Sequence, residues 1–91
     1  ILTFKTFDEV IERANDNDLG LCSYLYTNSM DKAHIGSEKL ESGCVAVNTG
    51  VVALAEAPFG GIKQTGYGRE GGSGAIKDYL NVKYTHMGLK I

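Results

Sequence analysis

Few side chains of this 91-residue sequence have the types and spacing for chemistry, and the thiols come first. Cys22 and Cys44 both lie in apolar runs, where a buried thiol has a raised pKa and stays inert. Nucleophilic catalysis needs an activated Cys or Ser beside a base, and neither run offers one. A zinc site needs clustered ligands, whereas His34 and His86 stand apart from each other and from the cysteines. The sequence therefore predicts no catalytic residue and no metal site within the chain. Glu56 sits among apolar neighbours in Val51-Val52-Ala53-Leu54-Ala55-Glu56-Ala57, as a general base would, although a loop carboxylate bonded to backbone amides is the plainer reading. Phe59, between Pro58 and Gly60, could equally wall a ligand pocket or fill the core. Arg69 and Glu70 most simply brace a loop by hydrogen bonding.

Gly66-Tyr67-Gly68-Arg69-Glu70-Gly71 matches G-x-G-x-x-G, whose glycines let a backbone approach a dinucleotide pyrophosphate at a helix N-terminus. A functional fingerprint follows a hydrophobic strand and has an acidic residue about 20 positions on. Here the preceding residues 62–65 are short and polar, and the chain ends 20 residues after Gly71. Glycine-enabled loop packing is the expected role, and no cofactor-binding residue is assigned. A stand-alone nucleotide or phosphate binder built on Gly66 to Gly71 is the rival reading.

These side chains need a scaffold, and composition bounds it. Hydrophobic residues make up 43% and charged residues 22%, the balance of a globular chain. A chain this short buries roughly 60 to 65% of its unfolded surface and is marginal alone. The 9 Lys and Arg against 11 Asp and Glu give a net charge of −2 without a basic run, which disfavours nucleic acid as a partner. Apolar stretches such as residues 51–55 fall short of the roughly 20 residues that span a bilayer, so no membrane partner is expected. Two cysteines without CxxC spacing suit reduced thiols in the cytoplasm.

Ile1-Leu2-Thr3-Phe4 reads as a strand, and with no initiator Met before it, as a chain that begins inside a domain. Thr6-Phe7-Asp8-Glu9 has the form of a capping box, and Phe7, Val10, Ile11 and Ala14 mark one face of a helix to about Asn15. Residues 15–20 form a turn, and residues 21–27 suit a strand. Asn28 or Ser29 caps a second helix with Met30, Ala33, His34, Ser37 and Leu40 inward and Gly43 as its left-handed stop. Residues 44–48 form a buried strand. This strand-helix-strand-helix-strand order predicts an α/β fold with parallel pairing. A long Gly-rich loop over residues 49–74, a short helix over 74–80 and a terminal strand over 82–87 complete the expectation.

Gly43-Cys44-Val45-Ala46-Val47-Asn48, with Pro58-Phe59-Gly60-Gly61-Ile62-Lys63-Gln64-Thr65-Gly66-Tyr67-Gly68-Arg69-Glu70-Gly71 after a nine-residue loop, resembles the C-terminal signature of the NAD(P)-dependent aldehyde dehydrogenases. Phe7 to Asn15 and Gly20-Leu21 agree, so the resemblance covers essentially the whole chain. Asn48-Thr49-Gly50, Glu56, Lys63-Gln64, Glu70-Gly71-Gly72 and residues 78–84 look closest to succinate-semialdehyde dehydrogenases. One departure concerns the loop before the Pro-Phe-Gly-Gly turn. That subfamily places there a serine that holds the substrate's far carboxylate, and this chain has Ala53 and Leu54. Succinic semialdehyde or a related small aldehyde is the implied substrate.

The family's reaction uses a cysteine that attacks the aldehyde, hydride transfer to NAD(P)+, and a glutamate-activated water. The resemblance places the nucleophile, the base and the NAD or NADP site outside this chain, which alone is expected to be inactive. It implies that residues 1–80 are the C-terminal segment of the catalytic domain. Within it, residues 49–74 are the substrate-tunnel loop, with Phe59, Ala53 and Leu54 on the substrate side. Residues 81–91 are implied to be an oligomerisation strand of a homodimer or homotetramer, with the remainder of the same enzyme as the other partner. A module that only assembles through its terminal strand is a further rival.

Overall fold

A computed structural model describes residues 1–90. Helix α1 covers Phe7–Asn15. The Thr6 hydroxyl caps it by accepting from the Glu9 amide at 3.2 Å, and the Glu9 carboxylate reaches back to accept from the Lys5 amide at 2.8 Å. That second bond is the main reason the Glu9 carboxyl is held below its usual range. Of the expected inner face, Ile11 is buried.

Strands β1 (Leu19–Gly20) and β2 (Cys22–Leu25), helix α2 (Met30–Lys39) and strand β3 (Cys44–Val47) follow. β2 and β3 pair in parallel with Cys22 opposite Cys44 and Leu25 opposite Val47, and α2 is the crossover between them. The expected parallel pairing is therefore present, in one of two small two-stranded sheets. The other sheet was not foreseen. β1 pairs antiparallel with β4 (Ile62–Lys63), so the stretch expected to be one long loop contains a strand and an isolated bridge between Phe59 and Glu70.

The inner face of α2 also differs from expectation. Met30 is 73% exposed and His34 and Ser37 are exposed, whereas Gly36 is buried and Ala33 and Leu40 are half-buried. The cause is Gly36: without a side chain it admits Leu25, whose Cδ2 lies 2.5 Å from where a Cβ would stand, and Phe7. Gly43 is not a left-handed helix stop. α2 ends at Leu40 in extended conformation, with φ −70° and ψ 121°. Gly43 instead lies where any Cβ would overlap the Gly60 carbonyl.

Both helix C-termini are tied together by polar contacts. The Asn15 side chain donates to the Lys39 carbonyl at 2.8 Å and accepts from the Glu41 amide at 2.9 Å. The Lys63 ammonium donates to the carbonyls of Asn15 and Asn17 at 3.0 and 3.2 Å and pairs with Glu41.

The two ends of the chain depart most from the sequence expectation. Residues 1–4 form no strand, because no partner strand lies beside them, and Ile1 and Leu2 are exposed. The short helix is a 3₁₀ helix over Ala75–Tyr79. Residues 81–90 pair with no strand, and Val82, Tyr84, Met87 and Leu89 are all more than 75% exposed.

The molecule measures 75 × 25 × 20 Å with a radius of gyration of 19.1 Å, against about 12 Å for a compact chain of this length. Its accessible surface of 7784 Å² compares with roughly 5200 Å² for a self-contained fold of this mass. Among the described residues only Ile11 and Ala46 are buried hydrophobics. The described residues thus leave most of their apolar surface uncovered.

The Gly43 contact yields a test. Gly43→Ala forces backbone apart and lowers stability by about 3 kcal/mol. At Gly74 a Cβ would meet nothing within 4 Å, so Gly74→Ala stays within about 0.5 kcal/mol. Urea-unfolding midpoints of both variants beside the unchanged protein measure the contrast.

Candidate substrate-side site

The chain leaves β3 through Asn48, which adopts φ 56°, a left-handed conformation that Asn tolerates better than most residues. Its side-chain amide donates to the Thr27 carbonyl and its oxygen accepts from the Thr27 amide, each at 2.9 Å. Asn48 thereby fastens together the C-terminal ends of β2 and β3, the edge of a parallel sheet where α/β proteins bind ligands. The loop over residues 49–57 starts from this edge.

The loop is held almost wholly by backbone. The Ala57 amide donates to the Leu54 carbonyl at 3.2 Å, and the Gly72 amide donates to the Ala55 carbonyl at 2.9 Å. Gly71 and Gly72 have φ of 70° and 68°, and a Cβ on Gly71 would stand 2.7 Å from the Ala57 carbonyl oxygen. Only glycine meets both demands. Ala53 and Leu54 are exposed, Leu54 at 57%, and Glu56 is exposed beside them.

Phe59 is fixed by a bridge to Glu70: its amide donates to the Glu70 carbonyl at 2.7 Å and its carbonyl accepts from the Glu70 amide at 2.8 Å. The Arg69 guanidinium donates to the carbonyls of Gly61 and Gly68 at 2.8 and 2.7 Å, so the loop-bracing role expected of Arg69 and Glu70 is what the geometry contains. Phe59 is half-buried and lines an open cleft of about 400 Å³ with Leu21, Gly60, Arg69, Glu70 and Asp78. Ala53 and Leu54 are not in that lining, so the three expected substrate-side residues do not share this cleft.

Gly66 and Gly68 have φ of 117° and 84°. The segment from Gly66 to Gly71 follows a two-residue strand and opens no α-helix, because the next helical residues are the 3₁₀ turn at Ala75–Tyr79. It lacks the α-helix N-terminus that cradles a pyrophosphate in the dinucleotide fingerprint. Cys22 and Cys44 are free and half-buried, and loss of water around Cys22, with the neighbouring Cys44 thiol, pushes its pKa up. His34 is exposed on α2, and the His86 ring lies 3.3 Å from the Tyr84 hydroxyl on the tail. Among the described residues no group of three His, Cys, Asp or Glu is placed to hold a metal, and no helix is long and apolar enough to cross a membrane.

Sequence reasoning missed the support of Asn48 and Gly72, whereas the loop packing expected of the glycines is what Gly71 shows.

A sequence family described as the aldehyde dehydrogenase family matches residues 1–85. A succinate semialdehyde dehydrogenase of Acinetobacter baylyi is 47% identical over 88 residues, covering 97% of this chain and 18% of that protein. A 3-sulfolactaldehyde dehydrogenase of Pseudomonas putida is also 47% identical over 88 residues, with the same coverage of 97% and 18%. The NAD+ complex of an aldehyde dehydrogenase from Bacillus cereus superposes with a TM-score of 0.90 at 42% identity, over 98% of this chain and 18% of that one. The chain thus spans about 18% of the length of these relatives. With the match running through both halves of the sequence and through the Pro58-to-Gly71 turn, the chain belongs to the aldehyde dehydrogenase family.

Proposed function

We propose that this chain is the substrate-side segment of an NAD(P)+-dependent enzyme that oxidises succinic semialdehyde, or a related small acidic aldehyde, to the carboxylate. The identity to a succinate semialdehyde dehydrogenase across 97% of the chain is the observation that carries this reading. The equal identity to a 3-sulfolactaldehyde dehydrogenase supports keeping the substrate class at small aldehydes with a distal anion. The loop with Ala53 and Leu54 in place of a carboxylate-holding serine counts against strict selectivity for succinic semialdehyde and leaves room for a related small aldehyde.

In this reading the cysteine nucleophile, the activating base and the dinucleotide site belong to the remainder of the enzyme, against which the uncovered apolar face of this segment packs. The isolated chain is inactive, because it brings no activated nucleophile and no pyrophosphate cradle. Phe59 is the aromatic wall of the substrate tunnel, and Ala53 and Leu54 form its outer lip. Residues 81–90, extended and unpaired, offer backbone donors and acceptors to a strand of a second copy. The proposal includes a homodimer or homotetramer and a cytoplasmic setting.

The full-length protein tests the reading: with NAD+ or NADP+ it produces reduced cofactor on succinic semialdehyde, glutaric semialdehyde or 3-sulfolactaldehyde. No turnover on any of the three with either cofactor sinks it. In the active enzyme Phe59→Ala raises KM for the aldehyde about tenfold, equivalent to ~1.4 kcal/mol, with a smaller change in kcat. An unchanged KM removes Phe59 from the tunnel. Deleting residues 83–91 lowers the oligomeric mass seen by light scattering, and an unaltered mass rules out assembly through the tail.

A further inference from the structure

Cys22 and Cys44 are in-register partners on neighbouring parallel strands, so their side chains leave the same face of the β2–β3 sheet. Both thiols are free and half-buried. The Cys44 thiol donates weakly to the Gly60 carbonyl at 3.8 Å, which points it along the Pro58-to-Gly61 turn. We propose that Cys22 and Cys44 form a dithiol site that captures a trivalent arsenical, one arsenic atom bridging the two sulfurs.

Geometry selects the bridged adduct over a disulfide. Neighbouring strands stand about 4.8 Å apart, and in-register parallel residues carry their Cβ atoms at a similar spacing. A disulfide draws its Cβ atoms to about 3.8 Å. A direct S–S bond asks the two Cβ atoms of this in-register pair to converge by roughly an ångström, whereas one intervening atom spans the gap without it. A tetrahedral zinc ion is also a poor match, because it needs four ligands and among the described residues no third His, Cys, Asp or Glu joins the pair. Arsenic carried as R–As(OH)2 is complete with two sulfurs and its own carbon substituent.

The step balances without an oxidant. Two As–S bonds form and two As–O bonds break, the two thiol protons leave with the two hydroxides as water, and arsenic stays trivalent. The product is neutral. That suits a place where Cys22 is pushed toward its protonated form, since no thiolate has to persist there. Bridging also removes the Cys44 S–H from the Gly60 carbonyl, beside Phe59.

The experiment uses native full-length protein and phenylarsine oxide, followed by digestion and mass mapping, and it does not depend on what the protein oxidises. The expected result is one phenylarsenic group linking the peptides that hold Cys22 and Cys44, stable to excess monothiol and removed by a dithiol. Cys22→Ser and Cys44→Ser each weaken retention at this site by about a hundredfold, the loss of one arm of a two-point attachment. Recovery of both thiols unmodified from the native protein overturns the proposal, as does a separate monothiol-labile adduct on each. The mapping on unaltered protein decides the matter even where a variant fails to fold.

Discussion

At the point where β3 begins, two stretches of backbone touch without a side chain between them: a Cβ on Gly43 would overlap the carbonyl of Gly60. This contact brings the Pro58-to-Gly61 turn against the parallel sheet and leaves Gly61 buried. The turn that carries Phe59 hangs from it. The Arg69 guanidinium closes over Gly61 and Gly68, Phe59 is clamped to Glu70, and β4 reaches β1 immediately beyond. Since backbone meets backbone, the position of Phe59 depends on glycine at two places rather than on a packed hydrophobic cluster.

The second constraint is how little core the chain has. A surface of 7784 Å², with Ile11 and Ala46 the only buried hydrophobics among the described residues, cannot offset the ordering entropy of so many residues through apolar burial alone. Local polar devices carry much of the order that is present. The Thr6 cap starts α1, Asn15 joins the ends of both helices, Lys63 holds the carbonyls of Asn15 and Asn17 at and just past the end of α1, and Asn48 staples the strand ends. Such contacts specify geometry, while stability in the proposed enzyme comes from covering Leu19, Tyr24, Tyr26 and their neighbours with further protein.

Features written in local sequence were legible. The Thr6-to-Glu9 cap and the apolar spacing gave α1, and the runs at Cys22 and Cys44 gave the strands of the parallel pair. Features that depend on a distant partner were not. β1 and β4 are two residues each and carry no periodicity, so their pairing has no local signature. Gly36 holds no hydropathic signal, yet it decides which face of α2 packs, and Met30, His34 and Ser37 turn outward as a result. Gly43 follows a helix, which suggests a left-handed stop. Its tertiary contact with Gly60 is what requires glycine there. The alternating tail reads as a strand, but a strand exists only with a ladder, and none of the described residues provides one.

The loop over residues 49–57 separates two tasks that are often merged in one residue. Its path is fixed by main-chain bonds from Ala57 to Leu54 and from Gly72 to Ala55, and by the left-handed glycines behind it. Its side chains at Ala53 and Leu54 are exposed and support none of those bonds. A loop built this way keeps its course whichever small or apolar side chain occupies those positions, because no packing contact has to be rebuilt. A serine at the lip and the Ala53-Leu54 pair are therefore interchangeable as far as the fold is concerned, and differ only in what they present to a bound aldehyde. On the proposed function, selectivity for the distal group of the substrate is set by these exposed positions, while Phe59, held by Glu70 and the Gly43–Gly60 contact, keeps the inner wall constant.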